Sequence, residues 1–363
     1  MVLLALTLFS YLFIDPNFIY MKNLYTGFSL NFREMTTFIY LLLISAFFVL
    51  YILLLKNVNF FSKKIKANSK LFIFFLVPLI AYPAILSFDL FNYIATAKIL
   101  FYYHENPYII MPIEFINDPV LLFTRAANKV ALYGPGWIAI SGIPYLLSFG
   151  KYILSIYIFK FFISLFYIGA GMLIWKITRS LFSVLLFMAS PLIIVETLVS
   201  GHNDIVMMFF ALLSFYFLRN KRIYFAIFFL LVSILIKYIT IFLIPIFIIT
   251  IIFIYQNKKI DWKNVYFICF LSMLLIFLLA FFREEIYPWY AIWPFSFLVL
   301  SPNHKVFLYS FISLTFGLML SYSSYMYSGS YFGLSHAIRM LFIFFPVVVF
   351  FLYYAFRKTI RLI

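Results

Sequence analysis

Apolar stretches long enough to cross a bilayer recur along almost the whole of this 363-residue chain, and no other property restricts its fold so severely. In hydrocarbon every backbone N–H and C=O must be bonded within the protein, which leaves helices or closed barrels. The apolar runs here are continuous rather than alternating, so the barrel is set aside. A mean hydropathy of +1.10, with 66% hydrophobic and 10% charged residues, excludes a soluble domain. The expectation is an all-α, polytopic membrane protein forming one domain over 1–363. Spans are expected near 1–20, 36–55, 71–87, 152–174, 181–199, 204–219, 222–236, 238–256, 263–282, 288–302, 306–325 and 337–356, about twelve in all. Several are short and are expected to tilt or break. The apolar N-terminus lacks a basic leader and a small-residue cleavage site, and reads as a retained first span.

Basic residues set the orientation. They cluster at Lys56, Lys63, Lys64, Lys66 and Lys70; Lys176 and Arg179; Arg219, Lys221 and Arg222; Lys258, Lys259 and Lys263; Lys305; and Arg357, Lys358 and Arg361. All share one face if 88–151 stays wholly on the other, which places 17 of the 27 Lys and Arg inside. The apolar piece Trp137 to Phe149 has about 13 residues, a length suited to re-entrant or interfacial helices. If it crossed, the later basic clusters would all face outward. The segment 88–151 therefore reads as an outer loop with surface helices. The net charge of +16 follows from this sorting, and no nucleic-acid partner is expected. The lone Cys269 allows no intrachain disulfide and belongs to no metal-ligand spacing.

Ten of the eleven acids sort to the outer face: Asp15, Glu34, Asp89, Glu105, Glu114, Asp118, Glu196, Asp204, Glu284 and Glu285, with only Asp261 inside. Orientation rules depend little on acids, so chemistry is sought outside. Asp89, in Ser87-Phe88-Asp89-Leu90-Phe91-Asn92-Tyr93, lies where an apolar span gives way to the outer loop. It is either a general base for a hydroxyl nucleophile or a solvated helix cap. Glu105-Asn106-Pro107-Tyr108 and Tyr133-Gly134-Pro135-Gly136-Trp137 read as turns with interfacial aromatics.

Ser200-Gly201-His202-Asn203-Asp204 puts four polar residues in five between two apolar runs; the alternative is an Asn203 or Asp204 helix cap. Ser190-Pro191 should kink the preceding helix, and Glu196 is an intramembrane acid. Lys237 sits at an expected outer helix end, where it would hold a phosphate or snorkel. Arg339 is placed to bind phosphate, while Trp289, Tyr290 and Trp293 form either a sugar-stacking face or an aromatic belt. Arg283 would pair with Glu284 or Glu285, and His336 stands near Arg339.

In this order and placement, Asp89-Leu90-Phe91-Asn92-Tyr93, Asn106-Pro107-Tyr108, Tyr133-Gly134-Pro135, Gly201-His202-Asn203-Asp204, Lys237-Tyr238 and Pro288-Trp289-Tyr290 resemble the motifs of GT-C glycosyltransferases. The closest likeness is to polyprenyl-phosphate-mannose-dependent mannosyltransferases, and it covers roughly 80–300. The resemblance implies a GT-C-like helical bundle and Asp89 as catalytic base. It implies substrate contacts from Tyr93, Asn106, Tyr108, Tyr133, His202, Asn203, Asp204, Lys237, Trp289, Tyr290 and Arg339.

Lys237, Arg339 and either His202 or Lys129 would offset charge on the departing phosphate. The implied donor is a polyprenyl-phosphate-linked hexose, with mannose first. The implied acceptor is a glycan or glycolipid at the extracytoplasmic face of the plasma membrane, and transfer inverts the anomeric carbon. Ser87 replaces the second acid of many relatives, which argues against a two-carboxylate site; a divalent cation is left open as cofactor. The rival from another class is a lipid or glycolipid transporter or flippase, against which stands the lack of repeated halves.

Overall fold

The computed structural model describes residues 1–14, 28–60, 69–83, 86–283, 285–330 and 334–360. Asp15, Lys63, Lys64, Lys66, Glu284 and Arg361 lie outside the described residues. Among the described residues the chain is helical and holds no strand. Its principal helices are α1 (Val2–Ser10), α2 (Arg33–Lys56), α3 (Asp89–Phe101), α4 (Pro135–Leu147), α5 (Tyr152–Thr178), α6 (Leu181–Met188) and α7 (Pro191–Val199). These are followed by α8 (Asp204–Arg219), α9 (Ile223–Ile236), α10 (Tyr238–Tyr255), α11 (Trp262–Arg283), α12 (Ile292–Leu298), α13 (Lys305–Ser328) and α14 (Leu334–Ile360).

Six helices among the described residues, α2, α5, α10, α11, α13 and α14, are long and apolar enough to cross a bilayer; α6 with α7 makes a seventh, bent by 52°. The bend falls at Ser190-Pro191, as expected from the missing proline N–H. The last carbonyls of α6 are not left bare. Tyr51 Oη donates to Leu186 O at 2.6 Å and Tyr167 Oη to Met188 O at 2.6 Å. Two buried tyrosines thus satisfy a broken helix from its neighbours, as hydrocarbon surroundings require.

The other expected spans do not form single long apolar helices among the described residues, because hydropathy registers apolar length but not breaks in the helix. The stretch expected at 71–87 is a 3₁₀ helix, Ser69–Ile80, with Pro78 inside it. The 16 residues of α8 rise about 24 Å, short of a core about 30 Å thick. The span expected at 288–302 is a 3₁₀ turn, Pro288–Ala291, followed by the fully buried seven-residue α12. Yet the chain does return along α11 there. Glu285 and Ile286, just past the end of α11, meet Arg339 near the start of α14. His304 then stacks on Phe267, near the beginning of α11, at 3.7 Å.

The bundle has two unlike ends. At one, Arg219 Nη1 donates to Ile177 O (2.8 Å), joining the basic termini of α8 and α5. At the other lie α3, α4, the Gly201–Asp204 turn and the Pro288–Ala291 turn. The short helix α4 contains most of the apolar piece from Trp137 to Phe149. It docks onto α9 through Gly134, whose N–H donates to Ile236 O at 3.2 Å. A Cβ on Gly134 would collide with the backbone oxygens of Leu235 and Ile236. Gly134→Ala should therefore destabilise the fold by about 1–3 kcal/mol. Thermal unfolding in detergent reads this, and an unshifted midpoint would contradict the docking.

Candidate active site

Asp89 is the first residue of α3, where a carboxylate is favoured by the helix dipole. Its side chain does not cap the helix: the cap position is Phe88, and no side-chain cap bond forms. The Asp89 N–H donates to Ser87 Oγ at 3.2 Å, so Ser87 serves the backbone here. Asp89 Oδ2 faces His202 Nδ1 at 3.4 Å, with 27% of the Asp89 side chain still exposed.

His202 owes its position to an unusual local turn. Val195–Val199 is a π-helix, a form found mostly as single turns and often at functional sites. Gly201 then takes φ +76, and a Cβ there would stand 3.1 Å from Leu90. Only glycine reverses the chain easily in this space. The His202 N–H closes onto Glu196 O at 2.9 Å. The ring is fully buried, its Nε2 3.3 Å from Glu196 Oε2. Trp289 covers it at 4.1 Å and 18°. Tyr322 Oη donates to Glu196 Oε1 at 2.9 Å. The two imidazole contacts are close charge contacts lacking full hydrogen-bond alignment.

Burial opposes charge on His202, but the Asp89 and Glu196 carboxylates flanking the ring outweigh it and hold the imidazole up at about 9. Burial also opposes charge on Asp89, yet His202, Lys237 and Asn92 hold its carboxyl below the usual range. The signs set a pH window. The raised His202 contributes stability that is complete below its unfolded value of about 6.5 and lost as pH rises through about 9. The depressed Asp89 contributes stability that is present above its unfolded value of about 3.9 and lost as pH falls through its folded value. Unfolding temperature measured against pH should therefore decline on the alkaline side around 9. His202→Gln should abolish that decline; an alkaline limb unaltered in the variant would refute the assignment.

The remaining expected residues divide by what they touch. Asn203 does not cap α8; its Oδ1 accepts from Tyr93 Oη at 3.1 Å. Tyr93 in turn packs edge-on against Tyr133 (4.7 Å) and Trp137 (5.0 Å). Tyr108 Oη donates to Tyr133 O (2.8 Å), and Asn106 Oδ1 accepts the Tyr108 N–H (3.0 Å). Through these contacts the loop following α3 is held against the His202 turn. Asp204 is also fully buried. Its Oδ2 binds Lys237 Nζ at 2.7 Å and its Oδ1 accepts from Trp293 Nε1 at 2.6 Å.

The remaining cations and aromatics are engaged within the protein. Lys237 is opposed by Asp204 and packs by Tyr290 (5.9 Å), so its ammonium neutralises a buried acid. Arg339 is 5% exposed, paired with Glu285 and donating to Ile286 O at 3.1 Å; its charge is committed to joining α14 to the end of α11. His336 stands 3.6 Å from the same Glu285. Trp289 is stacked with both His202 and Tyr287 (4.5 Å), and Tyr290 with Trp293 (4.4 Å). These rings form a packed layer over the histidine.

Sequence reasoning flagged Glu196 near the His202 turn without pairing the two side chains, and it missed Tyr322 and Arg125. Arg125 lies over Phe88, at 4.6 Å from its ring and one residue from Asp89; a single basic residue in a polar loop carries no local signal. Lys129 is exposed and borders a small cavity shared with Asn92 and Tyr133. No group of three or more His, Cys, Asp or Glu among the described residues is arranged to hold a metal ion.

The site thus offers a part-exposed carboxylate oriented by a buried cationic imidazole, with basic side chains on the adjoining loop. A family model described as alpha-(1→6)-mannopyranosyltransferase, N-terminal domain, matches residues 19–253. No curated protein and no solved structure matches. The family match spans Asp89, Glu196, His202, Asp204 and Lys237, whereas Trp289, Tyr322 and Arg339 lie beyond it. The chain belongs to the MptA_B family of alpha-(1→6)-mannopyranosyltransferases and is a membrane-helical glycosyltransferase.

Proposed function

We propose that this mannosyltransferase takes mannose from a polyprenyl-phosphate-linked donor and passes it, with inversion, to a hydroxyl of a lipid-linked or cell-envelope glycan. The observation that carries the reading is Asp89. It is the part-exposed member of a buried charge cluster, at the end of the bundle opposite the basic helix termini. By the positive-inside rule that end faces away from the cytoplasm, and the enzyme resides in the plasma membrane. Such a face favours a donor whose lipid tail lies in the bilayer and whose phosphate lies at its surface.

In the transfer, Asp89 accepts the proton of the acceptor hydroxyl through the oxygen not facing His202. The acceptor oxygen forms its bond to the anomeric carbon as the bond from that carbon to the phosphate oxygen breaks. The departing polyprenyl phosphate gains negative charge, which Arg125 and Lys129 are placed to offset. Lys237, 19% exposed beside Asp204, adds a weaker field. An α-linked product formed with inversion requires a β-linked donor.

Donor choice tests the proposal. Purified enzyme with acceptor from host membrane extract should release polyprenyl phosphate and transfer mannose from polyprenyl-phosphate mannose, and should leave a nucleotide-linked mannose untouched. Transfer from the nucleotide donor alone would overturn it. Binding of the lipid donor without any transfer would point to a lipid carrier instead.

A further inference from the structure

Glu196 touches no open surface, and the transfer described above gives it no task. It is fully buried in the π-turn of α7, where an acid is costly unless partnered. Its neighbours form a line: Tyr322 Oη on Oε1, His202 Nε2 facing Oε2, and beyond the ring Asp89 facing Nδ1. The line runs from a buried tyrosine to the part-exposed carboxylate. We propose that Glu196 is a positioning residue for mannosyl transfer, acting through His202 to fix how Asp89 is oriented. This rests on reading Asp89 as the base.

The physical case is one of tautomers. A neutral imidazole has one N–H and one lone pair, and either nitrogen can carry the proton. With Asp89 alone as partner, the ring could turn a lone pair toward the carboxylate and repel it. A carboxylate on each nitrogen requires both to be donors, which only the imidazolium provides. Glu196 therefore keeps an N–H pointed at Asp89 Oδ2 and leaves the other oxygen for the acceptor hydroxyl. Trp289, stacked at 4.1 Å, favours the same charged ring. The π-turn sets the register, because one residue more or fewer before Gly201 would turn Glu196 off the ring. The charged and titratable groups around the ring are Asp89 on α3, Glu196 on α7, Asp204 with its partner Lys237 on α8 and after α9, and Tyr322 on α13.

Glu196→Gln in the purified full-length enzyme tests this, with Asp89→Asn measured beside it. The readouts are kcat and KM for polyprenyl-phosphate mannose and the ¹⁵N-imidazole titration of His202. The His202 signal, one of four histidines, is assigned by its loss in His202→Gln. Expected in Glu196→Gln are a fall in kcat of at least about tenfold with little change in KM, and a His202 midpoint displaced below about 9. Glu196→Asp should restore part of the rate. Tyr322→Phe, further from the ring, should shift both readouts in the same direction by less, and it serves should Glu196→Gln fold poorly.

An unmoved His202 midpoint, or full kcat in Glu196→Gln beside an inactive Asp89→Asn, would overturn the proposal. A fully active Asp89→Asn would instead sink the reading of Asp89 as base, a result distinguishable from the first because the His202 titration is read without turnover.

Discussion

Lys237→Met is expected to lower the stability of the protein by about 3–5 kcal/mol. The loss is not that of a surface ion pair, which is typically worth about 1 kcal/mol or less. Asp204 is fully buried and held, among the described residues, by two side-chain donors, Lys237 Nζ and Trp293 Nε1. Without the ammonium an uncompensated carboxylate remains between α8, α9 and α12, where water cannot solvate it. The double variant Asp204→Asn with Lys237→Met should recover most of the loss, since the charge that needed a partner is gone. Thermal unfolding in detergent compares the three proteins. A single variant losing under about 1 kcal/mol would mean the pair is solvated and Lys237 is free for substrate.

Asp89→Asn is expected to reduce kcat by about 10²–10⁴-fold while leaving the donor KM nearly unchanged. The amide keeps the size of the carboxylate and still faces His202, but it cannot take up a proton. The folded state should survive, because Asp89 is the most exposed of the three acids near the ring and Glu196 still opposes the imidazole charge. The alkaline fall in stability should move to lower pH, since one of the two carboxylates sustaining the charged His202 is lost. Normal turnover by Asp89→Asn would remove the general base from the mechanism.

Much of the frame was legible in the sequence, because the features that carried it are local. Bilayer-length apolar runs gave α2, α5, α10, α11, α13 and α14; Ser190-Pro191 gave the bend between α6 and α7; the short apolar run after Gly134 gave α4. What eluded sequence reasoning depends on proximity between distant residues. Lys237 reads as an unpaired outer cation until Asp204, 33 positions earlier, is found beside it. Arg339 likewise has its partner in Glu285, 54 positions earlier. Tyr322 is one of 29 tyrosines and Trp289 one aromatic in a chain with 24% of them, so neither stands out from an ordinary membrane-interface belt. The stretches near 71–87 and 288–302 are apolar in sequence but broken into 3₁₀ and short helical pieces around Pro78, Pro288 and Pro294, so neither forms one long helix among the described residues.

The most direct test is a single reaction. Purified enzyme in liposomes receives β-linked polyprenyl-phosphate mannose and an acceptor glycan from host membranes, and the anomeric configuration of the product is determined by NMR for wild type and Asp89→Asn together. The expected result is an α-linked mannose with stoichiometric release of polyprenyl phosphate, lost in the variant. A β-linked product, or equal transfer by Asp89→Asn, would contradict inverting transfer driven by Asp89.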